Sequence, residues 1–299
     1  MIFFKGLDVN RFSKDIVRNI LRNILTPKGY TYLRFVLTHK YIPSFDEPRS
    51  FSEKIIYRKF NEAPEKYSKL VDKFTVRDYV AELIGTEYLI PLIKHTDNLT
   101  PCDFYDLPKE FVIKTSNGGG GENVKVILDS SNVDKKLVSD KFNKYLSTKM
   151  GDIVDEHFYD IESPRIIFES LLRHKNGSLP SDYKFHVFRK GSDTKTIVQV
   201  DESRFVNHKR SLFDRDLKML NFDIQPKYPK VSPDYKWPEN IEEMFSIAEK
   251  LSHGFPYVRI DLYNVDGKIY FGEFTFCHGS GWEPFSTRDA DFLLGSYWG

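Results

Sequence analysis

The chain has 299 residues, 40% hydrophobic and 15% aromatic, with 44 Lys plus Arg against 43 Asp plus Glu and a formal net charge of +1. That length and apolar content suit one large domain or two closely joined lobes, and they exclude a disordered or low-complexity chain. The near-neutral balance lacks the cationic excess on which binding to nucleic acid depends, so no nucleic-acid partner is expected.

Cys102 and Cys277 lie far apart without CxxC spacing, which argues against a zinc site or disulfide framework and for a reducing compartment. Lys5 interrupts the opening Met1-Ile2-Phe3-Phe4, so neither a secretory segment nor a membrane span can be drawn, and the cytoplasm is the expected location. From Arg11 to Leu25, Phe12, Ile16, Val17, Ile20, Leu21 and Ile24 recur at helical spacing, with Arg11, Lys14, Arg18 and Arg22 between them. Such a helix packs on the domain or rests on an anionic membrane at its inner face, the first being the simpler reading.

The first zone, to about Glu87, reads as mostly helical. Ser50-Phe51-Ser52-Glu53 opens one helix, and Asp72-Lys73 precedes another that ends at Gly85. Short strands follow at Tyr88 to Ile93, Phe111 to Thr115 and Val124 to Leu128, then a helix from Lys135 to Leu146 and a strand from Arg165 to Phe168. Further strands are expected at Tyr183 to Phe188 and Thr196 to Val200. A helix begins at Pro238-Glu239 with Gly254 as its left-handed cap, and two strands flank Asp266-Gly267. The pattern is an α+β fold of two lobes.

Ser116-Asn117-Gly118-Gly119-Gly120-Gly121 joins two of these strands. Four glycines expose backbone N–H groups with no Cβ to hold an anion away, and Lys114 ends the preceding strand where an ammonium can meet phosphate. A flexible hairpin loop would look the same. In Tyr257-Val258-Arg259-Ile260-Asp261-Leu262-Tyr263 the alternation puts Arg259, Asp261 and Tyr263 on one face, and Glu273 and Thr275 share a face of the next strand. If both apolar sets meet one core, Asp261 and Glu273 converge, and two ionised carboxylates side by side call for a hard cation. The competing reading is a salt-bridge strip on an exposed sheet face. Convergence also sets a register condition: a two-residue Asp266-Gly267 turn with regular pairing would put Asp261 opposite Gly272, so an odd loop or a compensating bulge is required.

Taken in chain order, Asp72-Lys73-Phe74-Thr75-Val76-Arg77, Phe111-Val112-Ile113-Lys114, the glycine run, Phe168-Glu169-Ser170-Leu171-Leu172, Asp182-Tyr183-Lys184-Phe185, Arg259-Ile260-Asp261 and Phe271-Gly272-Glu273-Phe274-Thr275 resemble the ATP-grasp superfamily. The branch they resemble is the TupA-like one, named for teichuronopeptide biosynthesis. The resemblance covers roughly residues 51 to 281 and implies ATP held between two α+β lobes with antiparallel sheets. It implies a helical segment at 1–87 that contributes Lys73, a first lobe at 88–169 with the glycine flap, and a second lobe at 170–299 with the metal site. By the resemblance, Lys73, Lys114 and Lys184 bind the nucleotide and Gly118, Gly119, Gly120 and Gly121 cover its phosphates. Glu169, Ser170 and Leu172 form the hinge that reads adenine. Arg259, with Lys184, acts on an activated carboxyl group, and Asp261, Glu273 and Thr275 bind Mg²⁺ or Mn²⁺. Thr275 departs from the asparagine common at that position. The N-terminal segment also departs, lacking a full substrate domain, which suggests a large, externally bound acceptor.

The implied activity is ATP-dependent ligation of a carboxylate, as in cell-surface polysaccharide or peptide-polymer synthesis. A kinase acting on a hydroxyl and a nucleotide-binding partner of a glycosyltransferase are the alternatives. His278 could contact substrate or be structural, and the abundant Tyr and Phe residues read as core or as sugar-facing surface.

Overall fold

The computed structural model describes residues 20–22, 24–119, 121, 123–202 and 207–299. Residues 11–19 and 23 of the basic helix expected from Arg11 to Leu25 lie outside these residues, as does Gly120; of its described part, Ile20 and Ile24 are exposed and Arg22 meets Asp155 at 2.5 Å.

Helix α1 (Pro27–His39) starts where Thr26 accepts from Gly29 N and Pro27 presets the first turn. Helix α2 (Phe51–Asn61) opens with a reciprocal capping box: Glu53 N donates to Ser50 Oγ and Ser50 N donates to Glu53 Oε2. Helices α3 (Glu65–Val71) and α4 (Val76–Ile84) are split by a turn in which Asp72 Oδ1 accepts from Phe74 N and Thr75 N. That turn projects Lys73.

A four-stranded antiparallel sheet has the order β1 (Leu92–Thr96), β4 (Ile166–Ser170), β2 (Phe111–Thr115), β3 (Val124–Ile127). Its core is Phe111, Ile113, Phe168 and the face of α5 (Lys135–Leu146) that carries Val138 and Phe142. The short helix α6 (Met150–Val154) leads back to β4. A five-stranded antiparallel sheet has the order β7 (Lys209–Phe213), β6 (Asp193–Glu202), β5 (Asp182–Lys190), β8 (Tyr257–Val265), β9 (Lys268–Thr275). Helix α7 (Ile241–Leu251) covers one face of it, with Phe245 edge-on to Phe185 at 5.0 Å. Helix α8 (Arg288–Tyr297) crosses the start of α2 at Gly295, where a Cβ would lie 2.1 Å from Arg49 O.

Register decides what the second sheet presents. Lys184 pairs with Asp261 and His186 with Arg259, Asp182 with Asp201, and Asp201 with Arg210. Paired residues share a face, so these side chains form one polar surface, and the opposite face carries Phe185, Val187, Val258 and Ile260. On β9 the partner of Leu262 is Phe271, but the partner of Asp261 is Glu273, so Gly272 is an extra, bulged residue. The turn itself is the two-residue Asp266-Gly267, with φ of 51° and 89°. The expected compensation is therefore a bulge and not an odd loop. It lets Phe271 and Phe274 share the apolar side while Glu273 stands beside Asp261.

Several expectations need correction. Residues Thr86–Tyr88 form a short 3-10 turn, and β1 starts at Leu92, one residue after Pro91, which has no N–H for a ladder. Helix α7 ends at Leu251, and Gly254 takes its left-handed φ of 85° after one further turn. Strand β7 and helix α8 were not foreseen. Lys209 and Arg210 make β7 read as loop, and Gly295 inside α8 weakens its helical pattern.

Candidate active site

The polar face of the second sheet is covered at one end and charged at the other. Phe51 of α2 packs on Phe188 and Tyr257 at the covered end. Next along the strands, Arg259 sends Nε to Asp261 Oδ1 (2.6 Å) and Nη2 to Asp261 Oδ2 (2.8 Å) and Glu273 Oε1 (3.2 Å). Lys184 Nζ reaches Asp261 Oδ2 at 2.5 Å and lies 3.6 Å from Asp182. Arg259, Asp261 and Lys184 are 8%, 2% and 4% exposed, so this is a buried network and not a solvated strip.

Burial alone would raise the Asp261 carboxyl, but Arg259 and then Lys184 outweigh it and hold the group well below the usual carboxylate range. Burial alone would lower the Lys184 ammonium, yet Asp182 and Asp261 keep it above its ordinary value. Arg259 Nη1 donates to His278 Nδ1 at 2.8 Å, which fixes a lone pair on that nitrogen. His278 Nε2 stands 3.1 Å from Glu283 Oε2, at ion-pair distance but without hydrogen-bond alignment. Glu283 in turn meets Arg210 at 3.0 Å, and Arg210 meets Asp201 at 2.6 Å. Burial lowers the basicity of both His278 and its neighbour His186.

Lys73 links the glycine loop to this sheet. Its N–H donates to Ser116 O (2.7 Å), its Nζ donates to Gly118 O (2.6 Å), and the same Nζ is 3.9 Å from Glu273 Oε2. Burial lowers its ammonium below the ordinary value, with Glu273 opposing the shift. Ser116 Oγ donates to Asp72 Oδ2 at 2.5 Å and accepts from Arg165 N at 3.0 Å. Asn123 Nδ2 donates to Asn117 O and Thr115 Oγ1, both at 2.6 Å, closing the base of the loop. Gly118 and Gly121 adopt φ of 73° and 79°, the left-handed region that favours glycine.

At the first sheet, Lys114 Nζ lies 2.6 Å from Glu169 Oε2, and Arg77 Nη1 lies 3.5 Å from Glu169 Oε1. Glu169 is thus a buried carboxylate compensated by two cations. Ser170 spends its N–H on Pro91 O at 3.0 Å, so that donor is not available to an adenine ring. Leu172 lies beyond the end of β4. Thr275 pairs with Arg259 and shares the face of Glu273.

A family model described as TupA-like ATPgrasp matches residues 53–298. The chain belongs to the TupA-like ATP-grasp family. No curated protein sequence matches it. Among solved structures it is similar to D-alanine-D-alanine ligase from Helicobacter pylori, with 16% identity over 77% of this chain and 59% of that one, and a TM-score of 0.44. It is similar to L-amino acid ligase from Bacillus licheniformis, with 13% identity over 77% of this chain and 49% of that one, TM-score 0.45. It is also similar to N5-carboxyaminoimidazole synthetase from Staphylococcus aureus complexed with ADP, with 16% identity over 76% and 50%, TM-score 0.40. The TupA-like chain therefore spans only about half to three fifths of the lengths of these proteins.

The fit of a divalent cation follows from the donors. Among the described residues no group of three or more His, Cys, Asp or Glu side chains could enclose a metal. Glu273 is the more exposed carboxylate of the two, and among the described residues its Oε2 has only the Lys73 ammonium, 3.9 Å away, as an ion-pair partner. Asp261 already accepts three bonds from Arg259 and Lys184, which leaves about one of a carboxylate's four lone-pair sites free. The pair fits a hard cation that takes its other oxygens from phosphate or water. Of the residues expected from the sequence, Lys184, Arg259, Asp261 and Glu273 come together on the second sheet with Lys73 3.9 Å from Glu273, while Lys114 lies against Glu169 on the first sheet. Asn123, Glu283 and Arg210 carried no motif, and Asp72 and Ser116, although they open two of the quoted motifs, gave no sign of their bond, because each of the five acts by holding another residue. The Ser-x-x-Glu logic that revealed the cap of α2 has no counterpart for such long-range partners.

Proposed function

We propose that the chain is an ATP-dependent carboxylate ligase working through an acyl phosphate, with an amine as the second substrate. The observation that carries this is the buried Arg259, forked onto Asp261 and 3.2 Å from Glu273, on the sheet face that Lys73 connects to the glycine loop. Lys73, Lys114 and Lys184 bind the phosphates and the loop excludes water from them. A substrate carboxylate oxygen attacks the γ-phosphorus, the bond to the β-phosphate oxygen breaks, and ADP leaves. The amine nitrogen then attacks the acyl carbon, phosphate departs, and the nitrogen gives up its proton. Arg259 faces the negative charge that builds on the acyl phosphate and its tetrahedral successor. Mg²⁺, or Mn²⁺ in its place, would be held by Glu273 and Asp261, with Thr275 beside them, and supplies positive charge to the phosphate oxygens.

In this reading residues 1–87 contribute Lys73, residues 88–169 the flap and Lys114, and residues 170–299 the metal site. The carbonyl of Ser170 and the main chain of Leu172 read adenine. The carboxylate belongs to an amino acid or to a cell-surface polysaccharide such as a uronic-acid polymer, and the reaction runs in the cytoplasm. Exposed Leu33, Leu37 and Ile42 beside Lys28 and Lys40 support contact with the inner face of the membrane or with a glycosyltransferase there. Among the described residues no helix is long and apolar enough to cross a membrane.

The test is trapping. Incubation with ATP, Mg²⁺, hydroxylamine and a panel of amino acids and uronic-acid oligosaccharides should yield ADP and a hydroxamate, read by mass spectrometry. A phosphorylated hydroxyl product without hydroxamate would replace ligation by phosphoryl transfer.

A further inference from the structure

A cavity of about 830 Å³ opens at the ends of β5, β6 and β8, lined by Tyr183, Tyr235 and Trp237 together with Ser178, Asp234 and Glu239. Its size falls in the roughly 300–1,000 Å³ range of small-ligand sites. Tyr183 and Lys184 are consecutive on β5, so their side chains leave opposite faces. The cavity therefore lies behind the sheet that carries Arg259, Asp261 and Lys184, and the reaction proposed above makes no use of it.

Its polar groups divide by what they already do. Asp266 is spent on the loop, accepting from Lys175 N at 2.8 Å with His174 Nδ1 at 2.9 Å. Asn264 joins Asn240 at 2.8 Å and accepts from Gly267 N. By contrast, Asp234, Lys236 and Glu239 have no ion-pair partner among the described residues. They sit in one run, Asp234-Tyr235-Lys236-Trp237-Pro238-Glu239, whose two aromatic members are half-buried. The rings are fixed in place. Trp237 stands edge-on to Phe213 at 4.8 Å and to Tyr235 at 5.1 Å, and the Tyr235 hydroxyl bonds that of Tyr183 at 2.7 Å.

Aromatic faces are electron-rich and attract the C–H-bearing faces of flat, amphipathic ligands, while unpaired carboxylates accept hydrogen bonds from hydroxyls. Of the carboxylates lining the cavity, Glu202 meets Lys209 at 3.7 Å and Asp266 meets His174 at 2.9 Å, which leaves Asp234 and Glu239 against the ammonium of Lys236, a net negative balance that disfavours phosphates and uronates. We infer that this cavity is a binding site for a neutral, hydroxyl-rich oligosaccharide, which stacks on Tyr235 and Trp237 and hydrogen-bonds to Asp234 and Glu239. The site is independent of the ligase reading. It would hold a glycan while chemistry proceeds on the other face of the sheet.

Calorimetric titration of the full chain with maltotriose, cellotriose, chitotriose and tri-galacturonate tests the inference. At least one of the three neutral sugars should bind, and tri-galacturonate should not. Tyr235→Ala should weaken that binding by about tenfold or more. Glu239→Gln, a change at an exposed residue, should weaken it without lowering the melting temperature, and neither variant should alter the shift in melting temperature caused by ATP with Mg²⁺. Absence of binding to all three neutral sugars, equal or tighter binding of tri-galacturonate, or unchanged affinity in Glu239→Gln would each overturn the assignment. None of these outcomes depends on whether a hydroxamate forms.

Discussion

Lys73 and Lys114 do different work although both are read as phosphate ligands. Lys114 is already paired with Glu169 at 2.6 Å, whereas Lys73 has a carbonyl for a partner and a carboxylate only at 3.9 Å. Hydrogen bonds to charged groups contribute about 1.5–3 kcal/mol each. Lys73→Ala and Lys114→Ala should therefore each raise the ATP dissociation constant by roughly ten- to a hundredfold in calorimetric titration, and exposed Lys136→Ala should not. Normal affinity in both lysine variants would remove them from the phosphate site. The histidines set a pH limit. His278 accepts from Arg259, so protonating it would set two cations against each other, and burial holds both His278 and His186 below the ordinary 6.5. Their folded values lie below their unfolded ones, so the associated stability is complete above pH 6.5 and is lost as pH falls below it. Urea unfolding should show a loss of up to about 1.4 kcal/mol per pH unit for each histidine, and His278→Gln should flatten that slope. Asp261 adds a separate loss at lower pH, below its ordinary 3.8, because its folded carboxyl is the more acidic one.

At the scale of elements, the hairpin of β8 and β9 shows what the sequence could and could not disclose. Alternation along both strands assigned Arg259, Asp261, Glu273 and Thr275 to one face, and parity then demanded one extra residue. Alternation could not choose between turn and strand as its place. The choice falls on Gly272, where a Cβ would stand 3.1 Å from Asp261 O and from the Tyr263 ring. Gly272→Val should cost about 1–3 kcal/mol and, by displacing the Asp261 backbone, reduce the thermal shift produced by ATP and Mg²⁺. Gly267→Ala is the matched control. Its φ of 89° strains any side chain, but no atom lies within 4 Å of the new Cβ, so it should cost about 1 kcal/mol and leave the ATP response intact. Loss of that response in both variants would mean that hairpin stability, and not the bulge, controls the site. Local signals served other elements equally well: the capping box of α2 and the strand at Phe111–Thr115 are where the sequence puts them. They failed at β7, whose polar half serves the Asp201–Arg210 pair, and at β1, where Pro91 delays the ladder.

In the whole molecule the helical segment ties the two sheets together. Asp72 holds Ser116 at the root of the glycine loop, and Lys73 touches Gly118 while facing Glu273 on the other sheet. The pairing of Lys73 with the loop had a sequence signal, since both belong to the ordered motif set. Asp72 and Ser116 stand in those same motifs, but nothing in them named the bond between the two, 44 positions apart. This arrangement makes binding and stability one measurement. A ligand that contacts Lys73, Lys114 and Lys184 at once would bridge the two sheets, and saturation at a hundred times its dissociation constant stabilises the fold by about 2.7 kcal/mol. Phosphates brought against Asp261 and Glu273 without a cation would meet two carboxylates, one of them only loosely compensated. ATP should therefore raise the melting temperature by several degrees with Mg²⁺ or Mn²⁺ and by little in excess chelator. Glu273→Gln, which removes the outward carboxylate, should narrow the gap between the two conditions. An equal shift with and without chelator in the unaltered protein would show that Lys73, Lys114 and Lys184 suffice to hold the nucleotide and that Asp261 and Glu273 bind no cation.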